Sequence, residues 1–375
     1  MDFSYDAQER ALADLAAEVF TERSTAARVA AVEASPERFD RDLWKMLAET
    51  GLLAAALPEA AGGAGLGLVG TALLLEQQGR RVAHVPLLAT LALGALPLAT
   101  FGTDDQRGHW LAAVATGEAV LTAALGSVHE RHGPAVVATR AGDGWHLDGT
   151  EFLVPSLPYA DRVLVPARHD DGSSTVFLLD PALPGAEVET VRTMSRSAHG
   201  NLRLAGVRVP DTDVIGETGR GGDTARWMLG RAYVGLAALQ LGVCEEAVRL
   251  TAEYTAQRTQ FGRPLSANQA VAIRAADAYL DTEAIRLMTL EAAWRLDHGL
   301  DGMPQALGAR WWSAEGGKRV VHATQHLHGG IGADITHPVH RYFLWGRELD
   351  VLLGGAHGLL ALLGARIAES AESAA

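Results

Sequence analysis

The chain has 375 residues, more than one hydrophobic core usually holds, so two or three sub-domains are expected. Its formal net charge is −13 and it has no run of Lys or Arg, which argues against a nucleic-acid partner because phosphate contacts need clustered basic residues. The single cysteine, Cys244, allows no internal disulfide, which fits a reducing compartment. It lies in the apolar helical stretch LQLGVCEEAV and is predicted to be a buried core thiol rather than a nucleophile.

Residues 1 to about 118 are predicted to be helical. The first ten, MDFSYDAQER, include three acids and no apolar run, so no secretory signal is expected. In LWKMLAETGLL the apolar residues have helical spacing and Gly51 supplies a left-handed cap, and TALLLEQQGRR is expected to end similarly at Gly79. Asp104 or Asp105 is expected to cap a helix that runs through QRGHWLAAVATGE.

The uncharged stretch 82–103 is long enough to cross a bilayer on hydropathy alone. However, it contains His84, Pro86, Gly94 and Pro97, and no belt of Trp and Tyr flanks it. We predict a buried connection followed by a helix, and no membrane span.

From about residue 120 to 212 the apolar period changes to two. The segments WHLDGTEFLV, ADRVLVPAR, STVFLLD, AEVETVRT and NLRLAGVRVP are short, rich in β-branched residues and punctuated by Pro, Gly and Asp. No helical pattern separates them, which favours a run of antiparallel strands over βαβ units.

Four long helical patterns fill the rest of the chain from about residue 218, which indicates a helical bundle. The predicted fold is therefore α+β. It comprises an N-terminal helical domain at 1–118, a middle antiparallel β-barrel or sandwich domain at 119–214, and a C-terminal four-helix bundle at 215–375.

Three short motifs suggest chemistry that their context does not support. Gly65, Gly67 and Gly70 satisfy G-x-G-x-x-G, but no strand precedes them and no acid follows at the spacing of a dinucleotide site, so a turn before a helix is predicted. The second motif is the histidine cluster His322, His326 and His328, which lacks a complete ligand set and is predicted to be a polar seam at a helix end and not a metal site. The third is the group Ser195, Ser197 and His199, which is predicted to form a turn.

Four segments in chain order resemble the motifs of the acyl-CoA dehydrogenases. They are LPEAAGGAGLGLVGTALLLEQQGR, LRLAGVRVP followed by IGETGRGGD, RTQFGRPLSANQAV, and HLHGGIGADITHPVHRYF, and together they cover nearly the whole chain. In that family one FAD is bound across two subunits: the β domain of one cradles the flavin ring, and the bundle of its neighbour holds the pyrophosphate and adenine.

The resemblance carries the second of these roles onto this sequence. Arg258 would pair with pyrophosphate oxygens, which suits a guanidinium, and glycines would let the backbone approach the nucleotide. The Gln usually found two residues before H-G-G is replaced by His326, with Gln325 one place away. The residues implied at this end of FAD are Arg258, Phe261, Gln269, His326, Gly329 and Gly330.

The flavin-ring role does not carry over. The family loop T-E-x-x-x-G-S-D falls near residues 122–133, where this chain has TAALGSVHERHG. The W-x-T pair that contacts the flavin aligns with Leu153 and Pro155, and proline also removes a backbone donor.

The catalytic base is missing as well. The family removes the α-proton of an acyl thioester with a glutamate carboxylate, and the two positions known to carry it align with Leu353 and Ala232. Glu348 and Asp350 precede Leu353 and are the acids open to a relocated base.

The sequence thus resembles the base-lacking subunit of heteromeric acyl-CoA dehydrogenases from actinobacteria that degrade steroid side chains. This resemblance implies a cytoplasmic flavoprotein that acts on a bulky acyl-CoA and passes electrons to an electron-transfer flavoprotein. It also implies a heterotetramer in which a related subunit supplies the glutamate. Two alternatives stay open: a structural or acyl-CoA-binding subunit without redox activity, and a self-sufficient enzyme with a displaced base.

Overall fold

A computed structural model describes residues 3–129 and 133–374 of the chain. The chain forms two compact units, each assembled from segments that are distant in sequence. The division into three consecutive domains is a different partition and stays a prediction. The first unit draws on Met1–Ala31, Ala72–Ala83 and Tyr233–Ala375, and the second on Val32–Thr71 and His84–Ala232.

The N-terminal part is helical, as predicted. Its helices are α1 (Ala7–Arg23), α2 (Ala26–Ala34), α3 (Arg41–Glu49), α4 (Leu52–Ala55), α5 (Gly67–Arg81), α6 (Leu96–Phe101) and α7 (Asp104–Ala115). Gly51 has φ +76° between α3 and α4, which confirms the left-handed position. The prediction that Asp104 or Asp105 caps α7 is wrong, because Thr103 is the N-cap. The hydroxyl of Thr103 accepts a hydrogen bond from the backbone N–H of Gln106, and the side-chain oxygen of Gln106 accepts one from the backbone N–H of Thr103. The two aspartates therefore lie inside the first turn.

Gly65, Gly67 and Gly70 form the predicted turn and helix start. A short 3-10 helix, Glu59–Ala61, precedes them where a dinucleotide fingerprint needs a strand, and α5 begins at Gly67.

The stretch 82–103 is largely buried and contains the predicted connection and helix. A π-helix, Leu88–Ala95, runs directly into α6. Pro97 lies in the first turn of α6, where its missing N–H breaks no helical bond within α6.

A single eight-stranded sheet follows, and it is mixed rather than wholly antiparallel. Strand order is β6-β7-β3-β2-β4-β5-β8, with β1 also paired to β4. The predicted antiparallel pairing holds for most pairs of neighbouring strands. It is wrong at β4, which pairs in parallel with both β1 and β2. The strands are β1 (Leu121–Ala123), β2 (Val136–Ala141), β3 (Gly144–Pro155), β4 (Arg162–Arg168), β5 (Ser174–Leu179), β6 (Ala186–Arg192), β7 (Ala198–Pro210) and β8 (Val214–Ile215).

The four long C-terminal helices are confirmed, and a fifth helix that the sequence did not predict follows them. The four predicted helices are α8 (Gly221–Gln257), α9 (Gln269–Asp297), α10 (Met303–His328) and α11 (Val339–Val351), and the fifth is α12 (Ala356–Ala374). Cys244 is fully buried in α8, and burial raises the pKa of its thiol to about 12, which confirms a core thiol.

Helices α5 and α8 approach each other through two glycines. A Cβ added at Gly79 would lie 2.1 Å from the carbonyl oxygen of Leu239, and one added at Gly242 would lie 1.9 Å from that of Glu76. The prediction that Gly79 ends its helix is therefore wrong, because the residue lies inside α5 and serves backbone-to-backbone packing.

Two helical stretches are long and apolar enough to span a membrane by length and composition, Gly221–Gln257 and Val339–Ala368. The apolar window of the first is 94% buried, as in the core helix of a globular fold, and that of the second is 11% buried. The second stretch is interrupted after Val351, where α11 ends.

Candidate functional site

A short hairpin, β9 (Thr259–Gln260) and β10 (Arg263–Pro264), follows α8 and carries two of the predicted cofactor residues. Arg258 is exposed, and its backbone is fixed by bonds from its N–H to Tyr254 and from Leu265 to its carbonyl, at 2.8 and 2.9 Å. Phe261, at the tip, has φ +53° and is 99% exposed. The hairpin therefore presents a guanidinium and an aromatic ring away from its own bundle.

His328 joins the end of α10 to the end of α8. Its ring stacks on Tyr254 with centroids 4.6 Å apart, one turn before Arg258. Nδ1 lies 2.8 Å from the carbonyl oxygen of Thr324 and donates to it. Nε2 is buried and has no partner among the residues that the structure describes. Burial lowers the pKa of His328, so the ring is neutral and Nε2 is an unused acceptor.

Open space lies over the glycines that follow His328. Gly329 has φ +64° and ψ −143°, a conformation that favours glycine, and no atom lies within 4 Å of a Cβ built there or at Gly330. His326 and Gln269 are exposed, whereas Gln325 is half-buried and donates to the carbonyl of Gly332 at 3.3 Å. Of the two residues near the family's Gln position, His326 is thus the accessible one.

In the second unit, Leu153 and Pro155 lie on a distorted part of β3. Register with β7 shifts between Glu151 and Val154, and Leu153 has φ +54° with its N–H bonded to Asn201 at 3.2 Å. The carbonyl of Pro155 accepts a 2.6 Å bond from the Thr122 hydroxyl. Leucine offers no aromatic face, and Pro155 offers no hydroxyl and no N–H.

A buried carboxylate at the same place was missed in the sequence. Glu151 is 1% exposed and accepts bonds from the backbone N–H of Ser127, at 3.3 Å, and from its hydroxyl. Glu151 follows Trp145, Leu147 and Gly149 at period two, which marks an inward position. The bond ties Ser127, near the middle of the 122–133 segment, to β3. Residues 130–132 lie outside the described residues.

Leu353 follows α11 and is half-buried, with φ +47°. A second residue missed in the sequence holds the chain just before it. Arg310 of α10 has no exposed surface and donates to the carbonyls of Leu349 at 2.6 Å, Asp350 at 3.3 Å and Leu352. Burial lowers its pKa to about 10, so it remains a cation at neutral pH that caps the last turn of α11.

Ala232, the other position predicted for the base, is fully buried in α8, and its methyl side chain has no proton acceptor. Of the acids open to a relocated base, Asp350 is buried and paired with Arg347 at 2.7 Å, and Glu348 is buried too. The Asp350 carboxylate is thus already held in an ion pair within α11, which weighs against its reaching a substrate.

The two remaining motifs have structural roles. Ser195 and Ser197 bond to each other at 2.8 Å in the turn between β6 and β7, which confirms the turn, and His199 is buried on β7. In the part of the chain that the structure describes, no group of three or more His, Cys, Asp or Glu side chains is placed to hold a metal ion. His322 instead meets the ring of Phe343 edge-on.

The chain matches the acyl-CoA dehydrogenase N-terminal domain over residues 6–118 and the C-terminal domain over residues 219–368. A curated relative, acyl-CoA dehydrogenase FadE27 of Mycobacterium tuberculosis, is 39% identical over 343 residues, which cover 89% of this chain and 90% of the relative. The chain belongs to the acyl-CoA dehydrogenase family. Acyl-CoA dehydrogenase FadE28 of the same organism is 34% identical over 371 residues, covering 98% and 99% of the two chains.

Solved structures of this family share the fold over nearly the full length. One, described as a variant of the Tcur3481–Tcur3483 steroid ACAD, is 45% identical with a TM-score of 0.91, covering 97% of this chain and 98% of that one. The ChsE4–ChsE5 complex from Mycobacterium tuberculosis is 37% identical with a TM-score of 0.92, covering 98% and 99%. The predicted family and fold class are thereby confirmed.

FAD is the cofactor of this family, and the residues present fit one end of it. The exposed Arg258 and the open space over Gly329 and Gly330 suit a pyrophosphate and nucleotide. At the two positions predicted to contact the flavin ring, Leu153 and Pro155 lack the aromatic ring and the hydroxyl of the family pattern.

Proposed function

We propose that this chain is the subunit of a heteromeric, FAD-dependent acyl-CoA dehydrogenase that lacks a catalytic base. Its bundle would hold the nucleotide end of FAD, and a related partner would provide the ring cradle and the glutamate. The proposal is supported by the alignment of Leu353 and Ala232, whose side chains accept no proton, with the two positions that hold the base in this family.

The roles at the nucleotide end follow from the exposed residues. Arg258 would neutralise pyrophosphate oxygens, and Gln269 and His326 would offer hydrogen bonds beside it. Phe261 would lie against the cofactor or the chain that carries it, because a phenyl ring that is 99% exposed gains most from burial. Gly329 and Gly330 would let the backbone approach the nucleotide.

The reaction would be α,β-dehydrogenation of an acyl-CoA thioester, in which FAD accepts the hydride from the β-carbon and the partner's carboxylate takes the α-proton. A bulky, steroid-type acyl group is supported by the steroid enzyme among the related structures. Electrons would leave to an electron-transfer flavoprotein, and we place the complex in the cytoplasm. We further propose that this chain is organised as three consecutive domains, at residues 1–118, 119–214 and 215–375.

The test is to purify this chain alone and together with a related subunit that has glutamate at the position of Leu353. Measurements are native mass, bound flavin per chain, and turnover with acyl-CoA thioesters of different bulk. We expect a colourless, inactive chain alone and a yellow, active complex. A yellow homotetramer with one FAD per chain would overturn the proposal.

Acid substitutions then separate the alternatives. Glutamine in place of the partner's glutamate should abolish turnover, whereas Glu348→Gln and Asp350→Asn in this chain should leave it largely intact. Loss of turnover in either of the latter variants would support a displaced base here. A complex that binds acyl-CoA without reducing its flavin would favour the non-redox subunit.

A further inference from the structure

The second unit contains a cleft that takes no part in the proposed function. It has a volume of about 570 Å³ and lies between the segment that joins α2 to α3 and the last residues of β6. The residues that line it all belong to the second unit, and none of them is proposed to hold FAD. Because Arg38 lines it from the first of these segments and Arg192 from the second, we call it the two-arginine cleft.

The positive charges of the two arginines are not neutralised by the chain itself. Arg38 is partly buried and Arg192 is exposed, and neither forms an ion pair in the part of the chain that the structure describes. A guanidinium has five N–H donors and stays charged at any physiological pH. Two such groups in one cleft favour a ligand that is anionic and rich in hydrogen-bond acceptors.

The two acids that line the cleft are engaged by other cations. The carboxylate of Glu37 accepts a hydrogen bond from Arg41 at 2.7 Å. Glu33 is buried, with Arg196 at 3.5 Å and the imidazole of His84 at 3.8 Å. These cations offset the two carboxylates, so the cleft keeps the positive charge of the two arginines that name it.

Neutral donors and backbone strain point to the same kind of site. The hydroxyl of Tyr159 makes no hydrogen bond with any described residue, and burial raises the pKa of Tyr159 to about 12, so the phenol is a donor at neutral pH. Thr190 adds a second hydroxyl to the lining. Arg38 has φ +54°, a conformation that is costly for a residue with a side chain and that recurs at ligand sites.

We propose that the two-arginine cleft binds a small organic dianion, with one acidic group held by Arg38 and the other by Arg192. The two guanidinium groups come from separate segments, so a dicarboxylate can meet both, whereas a monocarboxylate pairs with only one. Pro36, Val191 and Ala198 would contact the carbon chain between the acidic groups. The volume falls within the range of about 300–1,000 Å³ that is typical of small-molecule sites.

The test is isothermal titration calorimetry of the full-length chain with succinate, glutarate and adipate, with the melting temperature as a second measure. At least one of the three should bind with a dissociation constant below about 1 mM. Butyrate, which has one carboxylate, should bind at least about tenfold more weakly at the same ionic strength. The inference is wrong if no dicarboxylate binds, if butyrate binds equally well, or if inorganic phosphate, a compact dianion, binds more tightly than all three.

A matched pair of arginine variants separates a specific contact from the general charge of the unit. Arg192→Gln should weaken dicarboxylate binding at least about tenfold and leave the melting temperature unchanged, because the side chain is exposed. The control is Arg203→Gln on β7, which removes the same charge from an exposed side chain outside the cleft and should change the affinity less than about twofold. Equal losses in the two variants would contradict the assignment.

Glu37→Gln tests the sign of the ligand charge. Removing this carboxylate from the lining while Arg41 stays in place should tighten dicarboxylate binding. Weaker binding in this variant would overturn the inference. The inference does not rest on the proposed function: a cleft that binds no dianion leaves the heteromeric dehydrogenase standing, and a chain that never associates with a partner can still be titrated.

Discussion

The guanidinium of Arg310 donates a hydrogen bond to the carbonyl oxygen of Leu349 at 2.6 Å, from a side chain with no exposed surface. A cation at that position stabilises the carboxyl end of α11 electrostatically and satisfies carbonyls that the helix leaves unpaired. The turn that follows contains Leu353, in a left-handed conformation that costs a leucine about 1 kcal/mol or more. Arg310 thus fixes the backbone just before Leu353, one of the two positions at which the sequence predicts a missing base.

Arg310→Met should lower the free energy of unfolding by about 3 kcal/mol, because several charged hydrogen bonds are lost and buried carbonyls are left without donors. Denaturant titration followed by circular dichroism measures it. Arg319→Ala, on the same helix but paired with Asp281 at the surface, is the control and should cost less than about 1 kcal/mol. Equal losses would argue against a capping role for Arg310.

Gly242→Ala should destabilise the chain by about 3 kcal/mol or more, because the new methyl group would lie 1.9 Å from the carbonyl oxygen of Glu76 and neither backbone can yield freely. Gly364→Ala in α12 is the control, since open space surrounds that position, and it should stabilise the chain by about 0.5–1 kcal/mol. Melting temperatures of both variants against wild type give the comparison. Similar shifts would refute the close contact of α5 and α8.

Stability should fall in mild acid because burial lowers the pKa of His328. The unfolded chain takes up a proton near pH 6.5, and the folded chain resists it until lower pH. The contribution of His328 to the free energy of unfolding is therefore complete above about pH 6.5. It decreases below that pH, with a slope of at most about 1.4 kcal/mol per pH unit for one proton.

His328→Phe keeps the stack on Tyr254 and should flatten this part of the profile, measured as unfolding free energy between about pH 5 and about pH 8. His357→Phe, at an exposed position in α12, is the matched control and should leave the profile as it is. An unchanged slope in His328→Phe would assign the acid sensitivity to other groups.

Arg258→Ala should weaken FAD binding by the proposed complex about ten- to a hundredfold, which corresponds to losing a charged hydrogen bond. Because the side chain is exposed, the free energy of unfolding of the isolated chain should stay within about 0.5 kcal/mol of wild type. Flavin fluorescence during dilution measures the dissociation constant. Arg263→Ala in the same hairpin is the control. An equal loss of FAD affinity in that variant would show that Arg258 acts only as one of several positive charges and makes no specific contact.

Local patterns predicted most of the elements. Helical spacing located the long helices, and period two located the strands around Trp145 and Phe177. The errors came from features that a local pattern does not contain. In the sequence Gly79 has the features of a helix end. In the structure its missing side chain lets α5 pack closely against the backbone of a segment about 160 residues later in the chain.

The missed parts of the candidate site have the same origin. Arg310 is one more arginine in a helix until its carbonyl partners, about 40 residues later, are known. Glu151 could have been noticed, because an acid at an inward position of a strand is unusual. Family motifs, rather than periodicity, supplied Arg258 and Phe261, since neither side chain contributes to a core.

The contact of Gly79 with the backbone at Leu239 has a consequence for synthesis of the chain. A ribosome adds about 5–20 residues per second, so α5 emerges roughly 10–30 s before the segment that covers it. During that interval its apolar side is open to other nascent chains and to chaperones. A C-terminal fragment that starts after α7 would lack α5 altogether, and we expect it to emerge insoluble although it contains the whole predicted bundle.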